Sequence, residues 1–319
     1  MLMHSPPKEG AVEPKLLMPK ATPPNFLNLL DEVYEQEDAA YIKGASEGYR
    51  HNPSSASMVK PSGDVAGACL RSLYYKATKE PVSDKKALTV KLQGDFGNGI
   101  HDRITAKLLK SDRIKIVPES PGKVFIDPLT KEVSFRLDGL ITHKGEQGCL
   151  ELKTMQSYGL QRMVKDGGPK EAHILQVLCY FGTNEDLRWA SLVYFGRDNA
   201  FRAEYHIYKD PESGMFMIKG ITPNQPEKQI TDLSFEGIVA RWKELESHVE
   251  RGVLPLRDYK AVLDKDGLFT DKRTKNGVDH KSSYQCSYCS WQTKCWSLPD
   301  AYESSLNSTI NFPGDKRKT

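Results

Sequence analysis

The arrangement of cysteines constrains this chain more than any other feature of its sequence. Cys286, Cys289 and Cys295 lie within ten residues of one another near the C-terminus, and Cys69 lies far upstream. Thiolates are soft metal ligands, and a local trio with one remote partner supplies the four sulfurs that a tetrahedral zinc ion or an iron–sulfur cubane requires. Ligation by all four would close the chain around the residues between them.

The other two cysteines are expected to be small buried side chains rather than ligands. Cys149 lies in a predicted strand and Cys179 lies among apolar helix positions. Spacing alone does not separate a zinc site with four cysteines from a [4Fe–4S] cluster, so both stay open at this point. Six cysteines in 319 residues, clustered in this way, do not resemble a secreted disulfide scaffold and indicate a reducing compartment.

Composition describes a globular protein without a membrane span. The hydrophobic fraction is 38% and the charged fraction is 27%, and no apolar run approaches the roughly 20 residues of a membrane helix. The N-terminus lacks the apolar core and the cleavage site of a secretory signal. We therefore expect a cytoplasmic protein without a membrane partner. The net charge of +3 is nearly neutral and does not by itself indicate a nucleic-acid partner.

The pattern along the chain predicts an α/β (α+β) fold with a central mixed sheet flanked by helices. Residues 1–60 are predicted as a flexible arm with a helical extension, residues 61–299 as the core, and residues 300–319 as a polar basic tail. Periodicity predicts helices at 25–43, from Cys69 onward, and at 92–109, 156–166, 170–182 and 233–251, and strands within 114–154 and at 187–195 and 201–208.

Two acids and a lysine on neighbouring predicted strands form a candidate catalytic centre. Glu151 and Lys153 share one face of a strand, whereas Leu150 and Leu152 enter the core. Asp138 lies on the preceding strand of the same hairpin, so its carboxylate is expected beside Glu151. Two carboxylates with the backbone carbonyl of Leu152 between them suit Mg²⁺ or Mn²⁺.

Such an ion can lower the pKa of a bound water and neutralise charge on a phosphodiester, and Lys153 can orient that water. A Glu-x-Lys pattern alone is common on solvated strands. Here apolar residues flank both acids, as in a central strand, where a bare charge is costly unless it is paired or bound to a metal.

Three further polar residues are candidates for the same site. His101 follows Gly97 and Gly99, which allow a close approach at the start of the predicted helix, and a histidine can complete a carboxylate metal site. Gln176 and Tyr180 are one helical turn apart and share a face, where they can position a metal-bound water or hold the DNA backbone. The alternatives are an ordinary surface or core histidine and a polar helix edge.

A basic stretch follows Cys69 and is opposed only by Glu80 and Asp84. Its cations are Arg71, Lys76, Lys79, Lys85, Lys86 and Lys91. With Tyr74 and Tyr75 it is a candidate for tracking a phosphate backbone while the aromatic rings stack on bases. The alternative is an ordinary solvated run of charge.

Together these motifs resemble one family, the RecB-like PD-(D/E)xK nucleases. The match is to the iron–sulfur branch, which includes the CRISPR-associated RecB-like exonucleases, the nuclease domain of the AddB subunit and related viral proteins. It covers roughly residues 65–297. The motifs that carry it are Cys69 with Arg71 and Tyr75, Gly97-x-Gly99-x-His101, Leu137-Asp138, Glu151-x-Lys153, Gln176-x-x-x-Tyr180 and the C-terminal cysteine trio.

The resemblance implies a restriction-endonuclease-like core and metal-dependent cleavage of DNA, often single-stranded and from an end. His101, Asp138 and Glu151 would be metal ligands, Lys153 the catalytic lysine, and Gln176 with Tyr180 the helical motif pair. A [4Fe–4S] cluster on Cys69, Cys286, Cys289 and Cys295 would join the C-terminal segment to an N-terminal helix. A helicase or an integrase is the kind of partner protein implied, in DNA recombination and repair.

Two other classes of function are compatible with these residues. One is a non-catalytic DNA-binding module with an iron–sulfur or zinc site, within a recombination or CRISPR-adaptation complex. The other is a structural zinc protein with incidental acids. Asp138, Glu151 and Lys153 argue against both, because a protein without catalysis need not keep three costly charges in a central sheet.

Overall fold

The computed structural model describes residues 32–34, 36, 51–84, 88–118, 124–125, 133–134, 136–222, 224–259 and 284–298. The chain divides into two compact units, residues 1–44 and residues 45–319. In the first unit, residues 32–34 and 36 are helical, within the predicted N-terminal helix. The second unit holds every candidate site residue. The domain boundaries drawn at residues 60 and 300 stay predictions.

The described part of the second unit alternates between helices and strands. Its helices are α1 (Leu70–Ala77), α2 (Leu88–Leu108), α3 (Ser157–Lys165), α4 (Glu171–Thr183), α5 (Phe235–Arg251), α6 (Tyr284–Ser287) and α7 (Gln292–Ser297), with a short 3-10 helix at Pro53–Ser55. Its strands are β1 (Ser57–Val59), β2 (Val65–Gly67), β3 (Lys115–Pro118), β4 (Val124–Phe125), β5 (Val133–Ser134), β6 (Gly139–His143), β7 (Glu146–Met155), β8 (Leu187–Gly196), β9 (Arg202–Lys209), β10 (Phe216–Thr222) and β11 (Lys228–Gln229).

Among the described residues, seven strands form a central mixed sheet in the order β11-β10-β9-β8-β7-β6-β3. Strands β7 and β8 run parallel, and the other neighbours in this sheet pair antiparallel. Helices α3 and α4 make the crossover connection that a parallel pair requires. The predicted α/β class with a mixed sheet flanked by helices is confirmed, and the architecture is consistent with a restriction-endonuclease-like core. No helix in the described ranges is long and apolar enough to cross a membrane.

The side chains of β7 alternate between two differently covered faces of the sheet. Leu150 and Leu152 pack with Ile104 and Leu108 of α2 on one face. Glu151 lies on the opposite face, where helix α4 covers the strand. This alternation places the acid and the leucines as the sequence predicted.

Helix α2 starts at Leu88 rather than at the predicted residue 92, so Gly97 and Gly99 lie well inside the helix. A methyl group at Gly97 would lie 2.9 Å from the Oγ1 atom of Thr154 in β7. At Gly99 such a group would have no described atom within 4 Å. The close approach predicted at these glycines therefore holds at Gly97 alone, and it fixes α2 against β7.

Helix α5 packs against α1, the helix that directly follows Cys69. The Oγ atom of Ser234 caps α5 by accepting the N–H of Gly237 at 3.1 Å, and the helix ends at Gly252 in the left-handed conformation, φ 63°. Leu245 of α5 packs against Leu70 and Leu73 of α1. This contact positions Cys69, the residue that precedes α1.

Candidate active site

Glu151 is the centre of a buried polar network. Its Oε1 atom lies 2.5 Å from Nζ of Lys153 and accepts a hydrogen bond from Nε2 of Gln176 at 2.8 Å. Its Oε2 atom accepts the hydroxyl of Tyr180 at 2.8 Å. Because Glu151 is only 2% exposed, these donors replace the water that the carboxylate loses on burial.

Gln176 holds the network together. Its Oε1 atom accepts a hydrogen bond from Nζ of Lys153 at 2.8 Å, and its Nε2 atom also donates to the Tyr180 hydroxyl at 2.6 Å. Lysine only donates and an ionised carboxylate only accepts, so these partners fix the orientation of the amide. The structure thus brings together Glu151, Lys153, Gln176 and Tyr180, whose roles stay predictions.

The electrostatics of the network follow from its burial. Burial raises the pKa of the Glu151 carboxyl, the positive charge of Lys153 opposes that rise, and the negative charge of Asp138 adds to it. Burial also raises the pKa of Tyr180 well above its usual range, with the charge of Glu151 adding to the shift. Tyr180 therefore stays protonated and donates its hydrogen bond. Glu151 and Asp138 are close enough to influence each other electrostatically.

Asp138 lies immediately before β6 and is held in place by β7. The backbone N–H of Leu152 donates to its Oδ2 atom at 2.6 Å. Gly139 is the first residue of β6 and pairs with Leu150. The Asp138 side chain therefore accepts the N–H of a β7 residue just past the last paired position. Nδ1 of His101 lies 3.6 Å from Oδ1 of Asp138, and these side chains are 28% and 18% exposed. This side of the site is open to solvent.

The donor set here suits a divalent cation. The carboxylates of Asp138 and Glu151 are hard oxygen ligands, and His101 adds a nitrogen. The buried Glu151 carboxylate, whose pKa is raised, is a group that a nearby cation would stabilise in its charged form. Leu152 lies between the two acids with its N–H fixed by Asp138. Among the described residues, no three His, Cys, Asp or Glu side chains are already gathered as a metal site.

His173 and Tyr194 form a separate hydrogen-bonded pair near this network, and the sequence reasoning missed both. Nδ1 of His173 lies 2.7 Å from the hydroxyl of Tyr194, and Tyr194 is the β8 partner of Lys153. The spacing of His173, Gln176 and Tyr180, at intervals of three and four residues, puts them on one helix face and is the signal that could have found the histidine. Tyr194 has no such signal, because the register between β7 and β8 sets its position.

The four predicted cluster ligands line one cavity of about 450 Å³, called here the cysteine pocket: Cys69, Cys286, Cys289 and Cys295. All six cysteines are free thiols. Cys149 and Cys179 are fully buried in the main core, as expected of small apolar side chains. The structure therefore places the remote cysteine and the local trio around one cavity, although among the described residues no three of them are close enough to form a ready metal site.

Cationic side chains border the cysteine pocket. Nη1 of Arg71 lies 3.7 Å from the sulfur of Cys295, and Nη2 of Arg257 donates to the carbonyl of Cys295 at 2.7 Å. Burial raises the pKa of the Cys69 thiol to about 12, and the charge of Asp258 adds to that rise. A bound cationic group is what would bring such a thiol to its thiolate form.

Tyr75 provides a further observation on what the pocket can hold. Its ring lines the pocket, and its hydroxyl is buried without a hydrogen-bond partner among the described residues. Such a proton is costly to leave unmatched. The pocket thus combines four thiols with the Arg71 guanidinium beside one sulfur and the Tyr75 hydroxyl that lacks an acceptor. This set fits a group that is bound through sulfur and offers hydrogen-bond acceptors of its own.

The basic stretch after Cys69 is only partly the surface that the sequence suggested: Lys76 and Lys79 are exposed, whereas Arg71 and Tyr75 are buried. Arg71 is 1% exposed and Tyr75 is 3% exposed, and both line the cysteine pocket. Tyr74 packs against the contact between α1 and α5. Lys85 and Lys86 lie outside the described residues. The prediction for Arg71 and Tyr75 is wrong because packing of α1 on its neighbours turns these two side chains inward, whereas Tyr74 keeps part of its surface exposed.

The acids of the same stretch hold the C-terminal cysteine segment. The backbone N–H groups of Ser83 and Asp84 both donate to the carbonyl of Ser290 at 3.1 Å. The Asp84 carboxylate accepts the N–H of Thr293 at 2.9 Å, and Glu80 forms an ion pair with Lys294. Protein contacts therefore contribute to holding this segment beside α1.

Comparisons with known proteins add little beyond this geometry. No protein-family model matches the chain, and no curated protein is significantly similar to it. Among solved structures it is similar to SSO0001, with a TM-score of 0.42 and 14% sequence identity over 85% of this chain and 95% of that one. It is also similar to LHK-Exo, solved in complex with dAMP, with a TM-score of 0.36 and 15% identity over 57% of this chain and 80% of that one. Likeness at this level carries no information on activity.

Proposed function

We propose that this protein is a Mg²⁺- or Mn²⁺-dependent DNA nuclease that cuts single-stranded DNA from an end. The observation that carries the proposal is the network in which Lys153, Gln176 and Tyr180 converge on Glu151. The carboxylate of Asp138 lies beside it on the neighbouring strand.

A network of this kind is hard to explain by stability alone. Replacing buried charged groups by well-packed apolar side chains is often neutral or stabilising. This chain nevertheless keeps the carboxyl group of Glu151 in the middle of the sheet at 2% exposure. The Lys153 side chain is 22% exposed, so part of it remains accessible while its ammonium group contacts Glu151 and Gln176. A buried acid paired with a partly accessible lysine is better explained by a catalytic role than by stability.

The residues would act as follows. A divalent ion held by His101, Asp138 and Glu151 would activate water and neutralise phosphodiester charge. Lys153 lies on the Glu151 face of β7, where its positive charge can stabilise negative charge that develops on the phosphate. Gln176 contacts both Glu151 and Lys153 and so sets the distance between them.

Two exposed aromatic side chains near the end of β7 support an unpaired substrate. Phe96 is 67% exposed and Tyr158 is 74% exposed. Phe96 adjoins Gly97, the residue that contacts Thr154 near the end of β7, and Tyr158 lies in the first turn of α3 just after that strand. Aromatic rings stack on the faces of unpaired bases, which a duplex does not offer. These two residues replace Tyr74 and Tyr75 as candidates for stacking.

We also propose that the cysteine pocket holds a [4Fe–4S] cluster that joins α1 to α6 and α7. Zinc is the alternative, and the iron, sulfide and zinc content of the purified protein separates the two. A helicase or an integrase as partner protein is proposed from the family resemblance alone.

The test of the nuclease is digestion of DNA labelled at either end. Single strands and duplexes are incubated with the wild type and with Lys153→Ala in Mg²⁺ or Mn²⁺. We expect the wild type to shorten single strands faster than duplexes. Lys153→Ala should cut about a hundredfold more slowly or worse, as on loss of a positioned electrostatic group. Its affinity for DNA in Ca²⁺ should stay within about twofold, because it removes no proposed metal ligand.

Lys165→Ala is the matched control, because it removes an exposed lysine from the end of α3. It should cut at the wild-type rate. Wild-type cutting by Lys153→Ala would place the active site elsewhere. A wild type that binds DNA but cuts nothing with any divalent ion would support the alternative, a non-catalytic DNA-binding module.

A further inference from the structure

A histidine and a tyrosine form a hydrogen-bonded pair next to Lys153 that the proposed catalysis does not use. Nδ1 of His173 lies 2.7 Å from the hydroxyl of Tyr194, and the two rings are 5.6 Å apart. Tyr194 is fully buried in β8, whereas His173 keeps part of its surface exposed. Because the hydroxyl of Tyr194 occupies Nδ1, Nε2 is the ring nitrogen that remains for another partner.

The hydrogen bonds of Tyr194 determine which ring nitrogen of His173 carries the proton. The backbone N–H of Lys170 donates to the Tyr194 hydroxyl, so the phenol oxygen is an acceptor in that bond. The phenol proton then needs an acceptor of its own, since a buried hydroxyl proton without one is costly. Nδ1 of His173 is that acceptor. In the neutral imidazole the proton is therefore on Nε2.

The ring stays neutral in this position. Burial lowers the pKa of His173 to about 3, and the positive charges of Lys153 and Lys170 lower it further. A neutral ring with Nδ1 occupied and Nε2 protonated has no lone pair left for a metal ion. His173 is therefore a hydrogen-bond donor in the site and not a further metal ligand.

We propose that the Nε2–H group of His173 donates a hydrogen bond to a phosphate oxygen of the DNA strand in the site, an inference that rests on the proposed nuclease function. His173 lies three residues before Gln176 and so on the same face of α4. Lys153 and Lys170 lie near enough to affect its charge state, so an anion is the ligand that this place favours. Because the ring is neutral, it can bind that anion without forming an ion pair with Glu151, the carboxylate that Lys153 already pairs with.

Three substitutions separate this contact from a merely structural role. Glutamine carries an amide N–H near the position of Nε2, asparagine places its amide near Nδ1, and phenylalanine keeps the ring without either nitrogen. The affinity for a single-stranded oligonucleotide is measured by fluorescence anisotropy in Ca²⁺, which keeps binding separate from cutting. KM and kcat are then measured in Mg²⁺, and thermal unfolding follows the fold of each variant.

We expect His173→Phe and His173→Asn to bind about tenfold more weakly, the factor that a lost hydrogen bond to a charged group produces. His173→Gln should stay within about threefold of the wild type, and the losses should appear in KM more than in kcat. The opposite order, with asparagine active and glutamine not, would show that the bond to Tyr194 is what matters and would overturn the proposal. So would wild-type affinity in all three variants, or loss of folding in all three.

The same measurements distinguish this inference from the proposed function. If the wild type binds DNA without cutting it, the nuclease proposal fails, and the affinities alone still decide the role of His173. If the wild type cuts DNA and the three variants bind and cut as it does, the nuclease stands and the phosphate contact is wrong.

Discussion

Glu151 is the more deeply buried of the two carboxylates in the site. It is nearly inaccessible to solvent, yet Lys153, Gln176 and Tyr180 donate to its two oxygens. These donors keep the buried group hydrogen-bonded, which is the condition for tolerating it at all. Losing one donor would leave a polar group unmatched. The three donors therefore act as a unit, and single substitutions among them are expected to be non-additive.

His173 should make the stability of the protein depend on pH. Its pKa is about 3 in the folded protein against an ordinary value of 6.5, so between these values the unfolded chain binds more protons. The stability that the neutral His173 contributes is therefore fully present above about pH 6.5 and is lost as the pH falls toward 3. His173→Gln should reduce the slope of unfolding free energy against pH by up to about 1.4 kcal/mol per pH unit, one proton's worth.

Urea unfolding between pH 4 and 7 measures that slope. An unchanged slope in His173→Gln would mean that the histidine is not held neutral by the fold. A loss of stability that is the same at every pH would instead report lost packing or a lost bond to Tyr194.

Single residues were predictable from the sequence where local geometry decides their surroundings. Glu151 with Lys153, and Gln176 with Tyr180, share faces because strand and helix periods require it. Arg71 and Tyr75 were placed wrongly because their exposure depends on what α1 packs against. No pattern within α1 tells whether a cation faces water or a cavity lined by thiols.

Helix α2 links the packing of the fold to the candidate metal site. It carries His101, and Gly97 lets its backbone approach Thr154 of β7. Any side chain at Gly97 would press on a β-branched residue that has little freedom to move. A shift of α2 away from β7 would move His101 relative to Asp138, so packing at this one contact bears on function.

Gly97 and Gly99 offer a matched pair of substitutions in one helix. Gly99→Ala meets no described atom and should stabilise the protein by about 0.5–1 kcal/mol, because alanine restricts the unfolded chain. Gly97→Ala makes the same helix gain but places its methyl group 2.9 Å from Thr154 Oγ1. We expect it to be at least about 1 kcal/mol less stable than Gly99→Ala, within the usual cost of overpacking. Urea denaturation measures both.

A second substitution checks the cause. Thr154→Ala removes the hydroxyl that the new methyl group meets. When it is combined with Gly97→Ala, the double variant should recover most of the stability that Gly97→Ala alone loses. DNA cutting should fall in Gly97→Ala and return in the double variant. Equal stability of the two alanine variants would show that α2 does not depend on this contact.

Elements were predictable where burial imposes a clear period. The apolar spacing of α5 and its stop at Gly252 placed that helix closely, and alternation placed β8 and β9. Strands β10 and β11 were missed. In β10 only Ile218 and Gly220 are buried, and β11 is exposed at the edge of the sheet. Strands with so few buried positions leave little alternation to read.

At the scale of the whole molecule, the cysteine pocket joins parts of the chain that are distant in sequence. Arg71 of α1 donates through Nε to the carbonyl of Pro255 at 2.7 Å, and Tyr75 lies 6.0 Å from the ring of Trp291. Asp258 accepts the N–H of Leu70 at 2.5 Å. These contacts gather the pocket around its thiols. The sequence predicted which cysteines meet, but the side chains that surround them follow from tertiary packing alone.

Metal content tests the group that the pocket holds. Purified without oxygen, the protein should be brown and contain about four iron and four sulfide per chain. Alanine at Cys69, Cys286, Cys289 or Cys295 should remove the colour and much of the stability, because ligation links distant segments. Some docking should survive, since Asp84 and Glu80 also contribute to holding the C-terminal segment.

Cys179→Ala and Cys149→Ala are the controls, because both cysteines lie in the main core rather than at the pocket. They should keep the full colour while losing packing. Stoichiometric zinc in a colourless, well-folded wild type would show instead that the same four thiolates bind one tetrahedral ion. The link between α1 and the C-terminal segment would remain under that outcome. The unmatched Tyr75 hydroxyl would then need an acceptor other than cluster sulfide, since a zinc ion bound by four thiolates brings no sulfide of its own.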